Sequence, residues 1–402
     1  MTKVCMLVLH DITYDSRVKR EAKTLSQAGY RVKILDWEYP RGSGDGQITQ
    51  REGLNGVEVS RVRILTRDLP KNSFFRGIKY LEYIGSACLQ AVRERADVYH
   101  AHDLNTLLPA LIAARINKAK IVYDSHELWI ELYPRCAVAW QKRVWQTLER
   151  WCIKRVDRVI GINASIAAYM AQLYDVPTPT VVRNCCEYVE VEKGENLLRE
   201  TLHIENGTKI VLFIGGITAN KGIEEGIKAM GHIDNCVFVI MGFDHGFREQ
   251  FRQLARDVGV ENRVKFAPPV PPDQVVRWAA SADIGLVCIR GKGLSYYYSV
   301  AQKLWECLMA ELPVVVNDLP EMRQLVEHYQ VGLVIEQEMR PEAIAAAIRK
   351  LIGEERLYRR LQKNTQRLKR ECNWENEAAK LLEVYRGLDQ QVQQLKERIE
   401  KH

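Results

Sequence analysis

Short apolar runs alternate with longer amphipathic segments along almost the whole chain. Runs of about four to eight residues rich in Val and Ile are typical of buried strands, and the segments between them have the apolar spacing of helices that cover a sheet. The alternation predicts an α/β protein with parallel sheets. The predicted strands are 4–9, 31–36, 57–64, 97–101, 120–124, 157–162 and 180–184 in the first half, and 209–215, 236–242, 263–267, 283–288, 313–316 and 332–335 in the second.

A polar, strand-poor segment, residues 187–209, separates the two sets of strands. Because 402 residues exceed one ordinary core, we predict two doubly wound, Rossmann-like domains that face each other across a cleft, with ligands outside the carboxyl ends of the strands. The predicted bounds are 1–186 for the N-terminal domain and 187–370 for the C-terminal domain. Residues 371–402, with Leu388 and Val392 at helical spacing, are predicted to form helices that pack back on the body.

The composition is globular, with 47% apolar and 27% charged residues. The first apolar run is cut short by His10 and Asp11, which favours a strand over a signal peptide, and no later run approaches the roughly 20 apolar residues of a membrane span. The ten cysteines lack CxxC spacing and are predicted to be free thiols in a reducing compartment. These features predict a cytoplasmic protein.

The formal charge of +7 admits an anionic partner, but the positive residues are dispersed, so we expect no nucleic acid. One segment stands apart. Residues 139–155 combine Trp140, Trp145 and Trp151 with five basic residues, a mixture that could dock on an anionic membrane surface at the inner face of the membrane. A helix packed on the sheet, with its basic residues in water, explains the same pattern nearly as well.

The stretch SVAQKLWECLMAELPVVVND, residues 299–318, reads as a helix that runs into a buried strand. Ser299 and Gln302 form a capping box that would start the helix at Ser299. Lys303 in the first turn would add a cation for phosphate oxygens, and Glu306 can accept two hydrogen bonds from ribose hydroxyls. The alternative is an exposed ion pair between residues three apart, and the spacing alone does not decide between them.

The stretch FIGGITANKG, residues 213–222, adds a second indication of a phosphate site. A buried strand that ends in Gly215 and Gly216 lets the backbone approach a ligand, and Lys221 lies just before the next helix, where a diphosphate could be held. The alternative is a glycine turn with a solvated lysine. The chain has neither GxGxxG nor GxxxxGK[ST], so the dinucleotide fingerprint and the P-loop do not apply.

Polar residues also follow the strands of the first half. Asp15 and Arg17 stand at a strand-to-helix junction, where they could contact a ligand or form a structural salt bridge. His100 and His102 are predicted on the same side of a strand end, an H-x-H that can bind metal in a metal-dependent hydrolase. That hydrolase needs further ligands at other strand ends, and the remaining histidines fall mostly in helices or loops. Further candidates for the cleft are Asp103, His126 and Glu127.

Taken together, these segments resemble the family 4 retaining glycosyltransferases, which have the two-domain GT-B fold. The resemblance covers nearly the whole chain, and its order and spacing are specific where single pieces are weak. It runs through DSRVKREAKTLSQAGYRV, DVYHAHDLNTLLPALIAA, KIVYDSHELW, DRVIGINASIAAYMAQLY, FIGGITANKG, RVKFAPPVPPDQVVRWAASADIGLV, QKLWECLMAELPVVVNDLPEM and NWENEAAKLLEVY. Within the family, the helix of Lys303 is similar to a branch that reads like PNKLFEY.

The resemblance implies transfer of a sugar from a nucleotide sugar, most simply a UDP-sugar, with retention of configuration. It implies that Lys221 binds the donor diphosphate, that Glu306 holds the ribose and that His102 lies near the sugar ring; Lys303 is assigned to phosphate as well. The predicted donor site is completed by Gly215, Gly216, Tyr298, Ser299 and Gln302.

Two positions depart from the family. Tyr298 stands where the family has its first glutamate, and Gly216 stands where an arginine often precedes the diphosphate lysine. These departures leave the donor sugar open and keep a catalytically silent GT-B-like partner protein as the main alternative, with an epimerase on the same fold as a more distant one.

In the expected reaction, Lys221 and Lys303 stabilise the charge that develops on the diphosphate, and the acceptor hydroxyl gives its proton to the leaving oxygen. Neither a metal nor a cofactor is then required beyond the nucleotide sugar as co-substrate. The expected acceptor is a carbohydrate or a lipid-linked molecule in polysaccharide or glycolipid synthesis.

Overall fold

The computed structural model describes residues 1–12, 15–37, 56–62, 64–69, 73–132, 138–191, 195–219 and 221–400. The chain divides into two compact units. The first comprises Met1–Arg183 together with Glu377–His402, and the second comprises Asn184–Asn376. The first unit thus ends three residues before the bound taken from the sequence, and it includes most of the last helix.

The first unit is built on a parallel sheet of seven strands in the order β3-β2-β1-β4-β5-β6-β7. Its central strands are buried along nearly their whole length, which explains why they read as continuous apolar runs. The register pairs Val4 with Val32 on one side of β1 and with Val98 on the other. The strands are β1 (Lys3–Leu7), β2 (Arg31–Trp37), β3 (Glu58–Val62), β4 (Val98–His102), β5 (Lys120–Ser125), β6 (Arg158–Gly161) and β7 (Thr180–Val181).

The second unit is built on a parallel sheet of six strands in the order β10-β9-β8-β11-β12-β13. The order reverses between β8 and β11, so the loops after these two strands diverge and leave a crevice at their carboxyl ends. The strands are β8 (Lys209–Ile214), β9 (Cys236–Met241), β10 (Val264–Ala267), β11 (Ile284–Val287), β12 (Val314–Asn317) and β13 (Gly332–Ile335).

Helices connect the strands and cover the sheets, as expected for parallel crossovers. In the first unit they are α1 (Ser16–Gln27), α2 (Ser73–Glu94), α3 (Leu104–Ile116), α4 (Ala139–Ile153) and α5 (Ala164–Tyr174). In the second they are α6 (Leu197–Leu202), α7 (Ile223–Ala229), α8 (Arg248–Asp257), α9 (Val275–Ala279), α10 (Leu294–Tyr297), α11 (Gln302–Met309), α12 (Pro320–Tyr329), α13 (Pro341–Gly353) and α14 (Glu355–Glu371). The last helix is α15 (Trp374–Glu400).

The fold class predicted from the sequence is confirmed: every predicted strand region contains a strand of one of the two sheets. In the last helix, Tyr385, Leu388 and Val392 are buried. The nine cysteines of the described residues are free thiols, as expected. None of the helices in the described part of the chain has the length and apolar character needed to cross a bilayer.

Candidate functional site

In the second unit, glycines shape the carboxyl ends of β8 and β9. Gly215 follows β8 with a φ of +128°, a backbone conformation that residues with a side chain rarely adopt. Gly242 follows β9, and a Cβ at this position would lie 2.0 Å from the carbonyl oxygen of Gly215. The two backbones therefore approach each other more closely than any other residue at position 242 would allow. The end of β8 therefore presents backbone atoms that no side chain of Gly215 covers.

Lys221 lies in the turn that leads into α7. The next residue, Gly222, has a φ of +77°, and a Cβ there would lie 2.6 Å from the Cβ of Cys288. Because Cys288 directly follows β11, this contact fixes the turn against the end of that strand. Lys221 itself is exposed. Its cation thus stands at the crevice between the ends of β8 and β11.

Lys303 is a buried cation on α11, with only 9% of its surface exposed. Its Nζ lies 4.2 Å from the ring centroid of Phe213, a residue near the end of β8. No hydrogen-bond acceptor among the described residues reaches this nitrogen. Burial and the positive charge of Lys221 lower the pKa of Lys303 to about 7. A buried lysine whose charge is disfavoured by burial and by a second cation forms a site that an anion would stabilise.

Glu306 follows Lys303 by one turn of α11 and is half-buried. Its negative charge favours the protonated form of Lys303. Burial raises the pKa of the Cys307 thiol, and the charge of Glu306 raises it further. Lys221 and Glu306 therefore both lie within electrostatic reach of Lys303. The alternative of an exposed ion pair does not describe Lys303, because that lysine is buried.

The predicted capping box at Ser299 is wrong. The helix begins at Gln302, its N-cap is Ala301, and no side chain caps it. The hydroxyl of Ser299 instead donates to the carbonyl of Tyr296 at 2.9 Å, because the short helix α10 ends immediately before it. A local hydrogen bond of this kind competes with a capping role.

Two further residues that were predicted to bind the sugar donor, Gln302 and Tyr298, contact other parts of the protein. The side-chain nitrogen of Gln302 lies 3.4 Å from Sγ of Cys186. Tyr298 is the C-cap of α10, and its backbone N–H donates to the carbonyl of Leu294 at 2.9 Å. Its ring lies 5.3 Å from that of Tyr297. Tyr298 thus closes a turn at the position where the family has a glutamate.

The space beside Gly216 is filled by a residue that sequence reasoning left aside. A Cβ at Gly216 would lie 2.9 Å from Nε2 of His245, so the imidazole packs directly over the glycine. His245 belongs to the loop after β9, and its backbone N–H donates to the carbonyl of Ile217 at 3.3 Å. The signal available in the sequence was its position shortly after a strand end.

In the first unit, Arg17 is the centre of a buried ion-pair network. Its guanidinium donates to both carboxylate oxygens of Asp124, at 3.0 and 2.9 Å, and to the carbonyl of Val182 at 2.8 Å. Glu21, one turn later on α1, lies 2.9 Å from its Nε. Arg17 thus pairs with Asp124 and Glu21, whereas the salt bridge considered from the sequence was with Asp15. Asp15 caps α1 by accepting from the N–H of Val18.

The histidines predicted at the end of β4 do share one side of the strand. The rings of His100 and His102 stack with centroids 4.3 Å apart, and both are fully buried. Nδ1 of His102 lies 3.1 Å from Nε2 of His126, which in turn lies 3.0 Å from Asp124. The backbone N–H of His126 donates to Asp103 at 3.0 Å. The loop after β5 is thus tied to the loop after β4.

The charges of this network follow from burial and from the partners. Although burial opposes it, the charges of Arg17 and His126 hold the pKa of Asp124 well below its ordinary value. Burial would also lower the pKa of His126, but Asp103 and Asp124 raise it to about 10. Burial lowers the pKa of His102. His126 is therefore the protonated imidazole of this pair, and His102 is the neutral one. Nε2 of His102 has no hydrogen-bond partner among the described residues.

Glu21, His100, His102 and Asp124 each offer one ligand atom, and these atoms lie within 4.8 Å of one another. This is the neighbourhood in which the sequence admitted a metal. The guanidinium of Arg17, however, already pairs with both carboxylates, so the positive charge that a metal ion would bring is supplied by the protein.

The sequence did not single out Asp124 and Tyr385 as members of this cluster. Glu127, which it did single out for the cleft, has a different contact. Asp124 is the last-but-one residue of β5 and lies 107 positions from Arg17, so only the fold brings the two together. Tyr385 of α15 hydrogen-bonds Nδ1 of His100 at 2.8 Å. Glu127 contributes its backbone carbonyl, which accepts from the hydroxyl of Ser125 at 2.8 Å.

Comparison with known proteins identifies the family. The family model described as "Glycosyl transferase 4-like domain" matches residues 14–185, and the one described as "Glycosyl transferases group 1" matches residues 195–368. An uncharacterized glycosyltransferase of Methanocaldococcus jannaschii is 22% identical over 91% of this chain and 92% of its own length. A D-inositol 3-phosphate glycosyltransferase of Thermomonospora curvata is 25% identical over 58% of this chain and 57% of its own length.

Solved structures share the fold. Sucrose-phosphate synthase from Thermosynechococcus elongatus superimposes with a TM-score of 0.77 at 17% identity, covering 96% of this chain and 99% of that one. Anabaena HepE in complex with UDP superimposes with a TM-score of 0.72 at 15% identity, covering 96% of this chain and 100% of that one. Both family models and the two Rossmann-like sheets agree, and the chain therefore belongs to the family 4-type glycosyltransferases with the GT-B fold.

Proposed function

We propose that this glycosyltransferase moves a sugar from a UDP-sugar to an acceptor hydroxyl with retention of configuration. The observation that carries the proposal is the buried Nζ of Lys303, which lies near Lys221 and has no hydrogen-bond partner among the residues that the structure describes. A buried cation without an anion raises the free energy of the unliganded protein, and a bound anion would lower it. A diphosphate is the ligand that matches two cations beside a bare glycine backbone.

Glu306 supplies the second half of donor recognition in this proposal. It lies one turn beyond Lys303, so a ribose attached to the diphosphate would meet its carboxylate, which can accept hydrogen bonds from both hydroxyls. The complexes of Anabaena HepE with UDP and with UDP-glucose support uridine as the base, since that protein shares the fold. Glu306 is therefore assigned to the ribose and the two lysines to the diphosphate.

The reaction needs no protein nucleophile. The bond between the anomeric carbon and the diphosphate oxygen breaks, and its electron pair remains on that oxygen, where Lys221 and Lys303 stabilise it. The acceptor hydroxyl forms the new bond on the same face of the sugar and gives its proton to the leaving oxygen. We assign His102 to the sugar ring, as the family resemblance implies, because its Nε2 has hydrogen-bonding capacity left. The acceptor is a carbohydrate or a lipid-linked molecule.

Binding of UDP is the direct test of the donor site. At a concentration of about 100 times its Kd, UDP should stabilise the protein by about 2.7 kcal/mol, which is a shift in Tm of about 5–10 °C for a domain of this size. UMP should give a much smaller shift because it lacks the second phosphate. Glu306→Gln should reduce the shift, and Glu327→Gln, at an exposed position of α12, should leave it unchanged.

Equal shifts with UDP and UMP, or an unchanged shift in Glu306→Gln, would contradict the assignment of diphosphate and ribose. A larger shift with another nucleoside diphosphate would replace uridine but keep the lysine pair.

The affinity for UDP should fall as the pH rises above 7. Because the pKa of Lys303 is lowered to about 7, the lysine of the free protein loses its proton above that pH, and binding an anion requires the proton to return. The dissociation constant should therefore rise by up to about tenfold per pH unit between pH 7 and 8.5. Calorimetry in buffers of different ionisation enthalpy should detect proton uptake, and Lys303→Met should bind weakly with no such uptake.

The lowered pKa of Lys303 also predicts how the stability of the free protein depends on pH. Stability should rise with pH, whereas the affinity for UDP should fall. Between the lowered pKa of Lys303 and the ordinary pKa of lysine near 10.4, the unfolded chain binds more protons than the folded one, so this group makes the folded state more stable as pH rises. Proton release rather than uptake upon UDP binding would contradict both statements.

A further inference from the structure

Helix α4 exposes a stripe of apolar residues. Trp140, Val144, Thr147 and Trp151 are spaced by four, three and four residues and therefore share one face of the helix. Trp140 is 66% exposed, Val144 58% and Trp151 47%. The third tryptophan, Trp145, is instead packed against Tyr80 of α2. Single exposed apolar residues are ordinary, but a row with two tryptophans marks an interaction surface.

Helix α3 packs beside α4 and extends this surface. Ile112 and Ile116 of α3 are exposed, Ile116 to 59%. Between the two helices lies a shallow groove of 360 Å³, lined by Leu111, Ile112, Arg115, Ile116, Trp151 and Arg155. We call the exposed faces of α3 and α4 the α3–α4 surface.

The rim of the α3–α4 surface is cationic. Arg143, Arg155 and Arg115 are exposed, and within the described ranges no carboxylate forms an ion pair with any of them. The guanidinium of Arg155 lies 4.4 Å from the ring centroid of Trp151, which places a charge next to an apolar ring. The acidic residue of α4, Glu149, is buried. The surface therefore offers apolar rings and uncompensated positive charge to the same partner.

We propose that the α3–α4 surface docks this protein on an anionic lipid bilayer. Tryptophan is suited to the boundary between headgroups and acyl chains, and arginine side chains reach the lipid phosphates around it. A second copy of the chain is a poorer occupant because it would bring like charges together. The docking is independent of the donor site and would bring the enzyme to a lipid-linked acceptor.

Sedimentation with vesicles tests this proposal. The protein should sediment with vesicles of phosphatidylcholine and phosphatidylglycerol, but not with phosphatidylcholine alone, and less so at high salt. Arg143→Ala combined with Arg155→Ala should weaken binding by about thirtyfold, since each basic residue near an anionic surface contributes about fivefold. Trp140→Ala combined with Trp151→Ala should also release the protein.

The matched control removes two positive charges elsewhere on the surface. Arg360 and Lys363 of α14 are exposed, and Arg360→Ala combined with Lys363→Ala should bind the vesicles like the unmodified protein. An unchanged Tm in each variant shows that the fold is intact. No binding to anionic vesicles, or equal binding of the α4 variants and the control, overturns the proposal. A dimer in solution that the tryptophan variant dissociates also overturns it, because the occupant is then a second copy.

Discussion

Replacing Lys221 by alanine is expected to lower the rate of sugar transfer by about 10²- to 10³-fold, the usual effect of removing one group that stabilises charge in a transition state. Lys221 stands in the turn fixed against Cys288, so its ammonium is available to the diphosphate as charge develops there. The loss should appear in kcat at saturating donor, with a smaller change in KM, because the charge on the leaving group is greatest in the transition state. Release of UDP from a UDP-sugar measures it.

Lys228 provides a matched control for this substitution. It is an exposed lysine in the last turn of α7, the helix that follows Lys221, and Lys228→Ala removes the same charge a few residues further along the chain. Its activity should stay within about twofold of the unmodified enzyme. If Lys221→Ala retains comparable activity, the diphosphate assignment fails. If the unmodified protein binds UDP but never releases it from a UDP-sugar, the chain is a silent partner protein.

Replacing Arg17 by methionine is expected to reduce the free energy of unfolding by about 3–5 kcal/mol, the typical cost of removing one partner of a buried ion pair. Asp124 and Glu21 are fully buried and would lose the guanidinium that pairs with both. Urea unfolding should show the loss. Arg17→Lys should recover part of it only, because one ammonium cannot reproduce the two parallel hydrogen bonds to Asp124.

The deficit of Arg17→Met should shrink as the pH falls from 7 to 5. In the variant, burial without a cation raises the pKa of Asp124, which the charge of Arg17 holds low in the unmodified protein, so the folded state binds more protons than the unfolded state and gains stability on acidification. Glu21 adds little to the difference between the two proteins, because burial raises its pKa to about 8 even beside Arg17. Arg93→Met, at an exposed position of α2, is the control and should change stability by less than about 0.5 kcal/mol. A deficit that does not depend on pH would show that packing, not charge, causes it.

The positions of the strands could be predicted from sequence because parallel strands are buried on both faces and leave uninterrupted apolar runs. Strand β9, for example, is buried at every residue, and the apolar run CVFVIMG predicts it. The beginning of α11 is harder to place from sequence. Ser299 and Gln302 satisfied the capping pattern, yet the preceding turn α10 offered the hydroxyl of Ser299 a nearer acceptor in Tyr296.

The candidate site was only partly accessible from sequence. The spacing of Lys303 and Glu306 predicts neighbouring groups, but Lys303 also packs against Phe213 of β8 and lies near Cys288, which directly follows β11. In the first unit, Arg17 and His126 were singled out as candidates, whereas Asp124, which joins them, was not. Pairings between residues so distant along the chain are set by the sheet order, which local patterns do not contain.

The position of α15 bears on how the chain is made. Its residues from Glu377 onward belong to the first unit, where Glu377 pairs with Arg183, Tyr385 with His100, and Asp389 with Thr2 and Tyr30. During synthesis the amino-terminal sheet therefore lacks these contacts, including that of Tyr385 with His100 of β4, until α15 has left the ribosome. A nascent chain stalled before residue 377 should be cleaved by protease within the first unit, and release of the remaining residues should protect it.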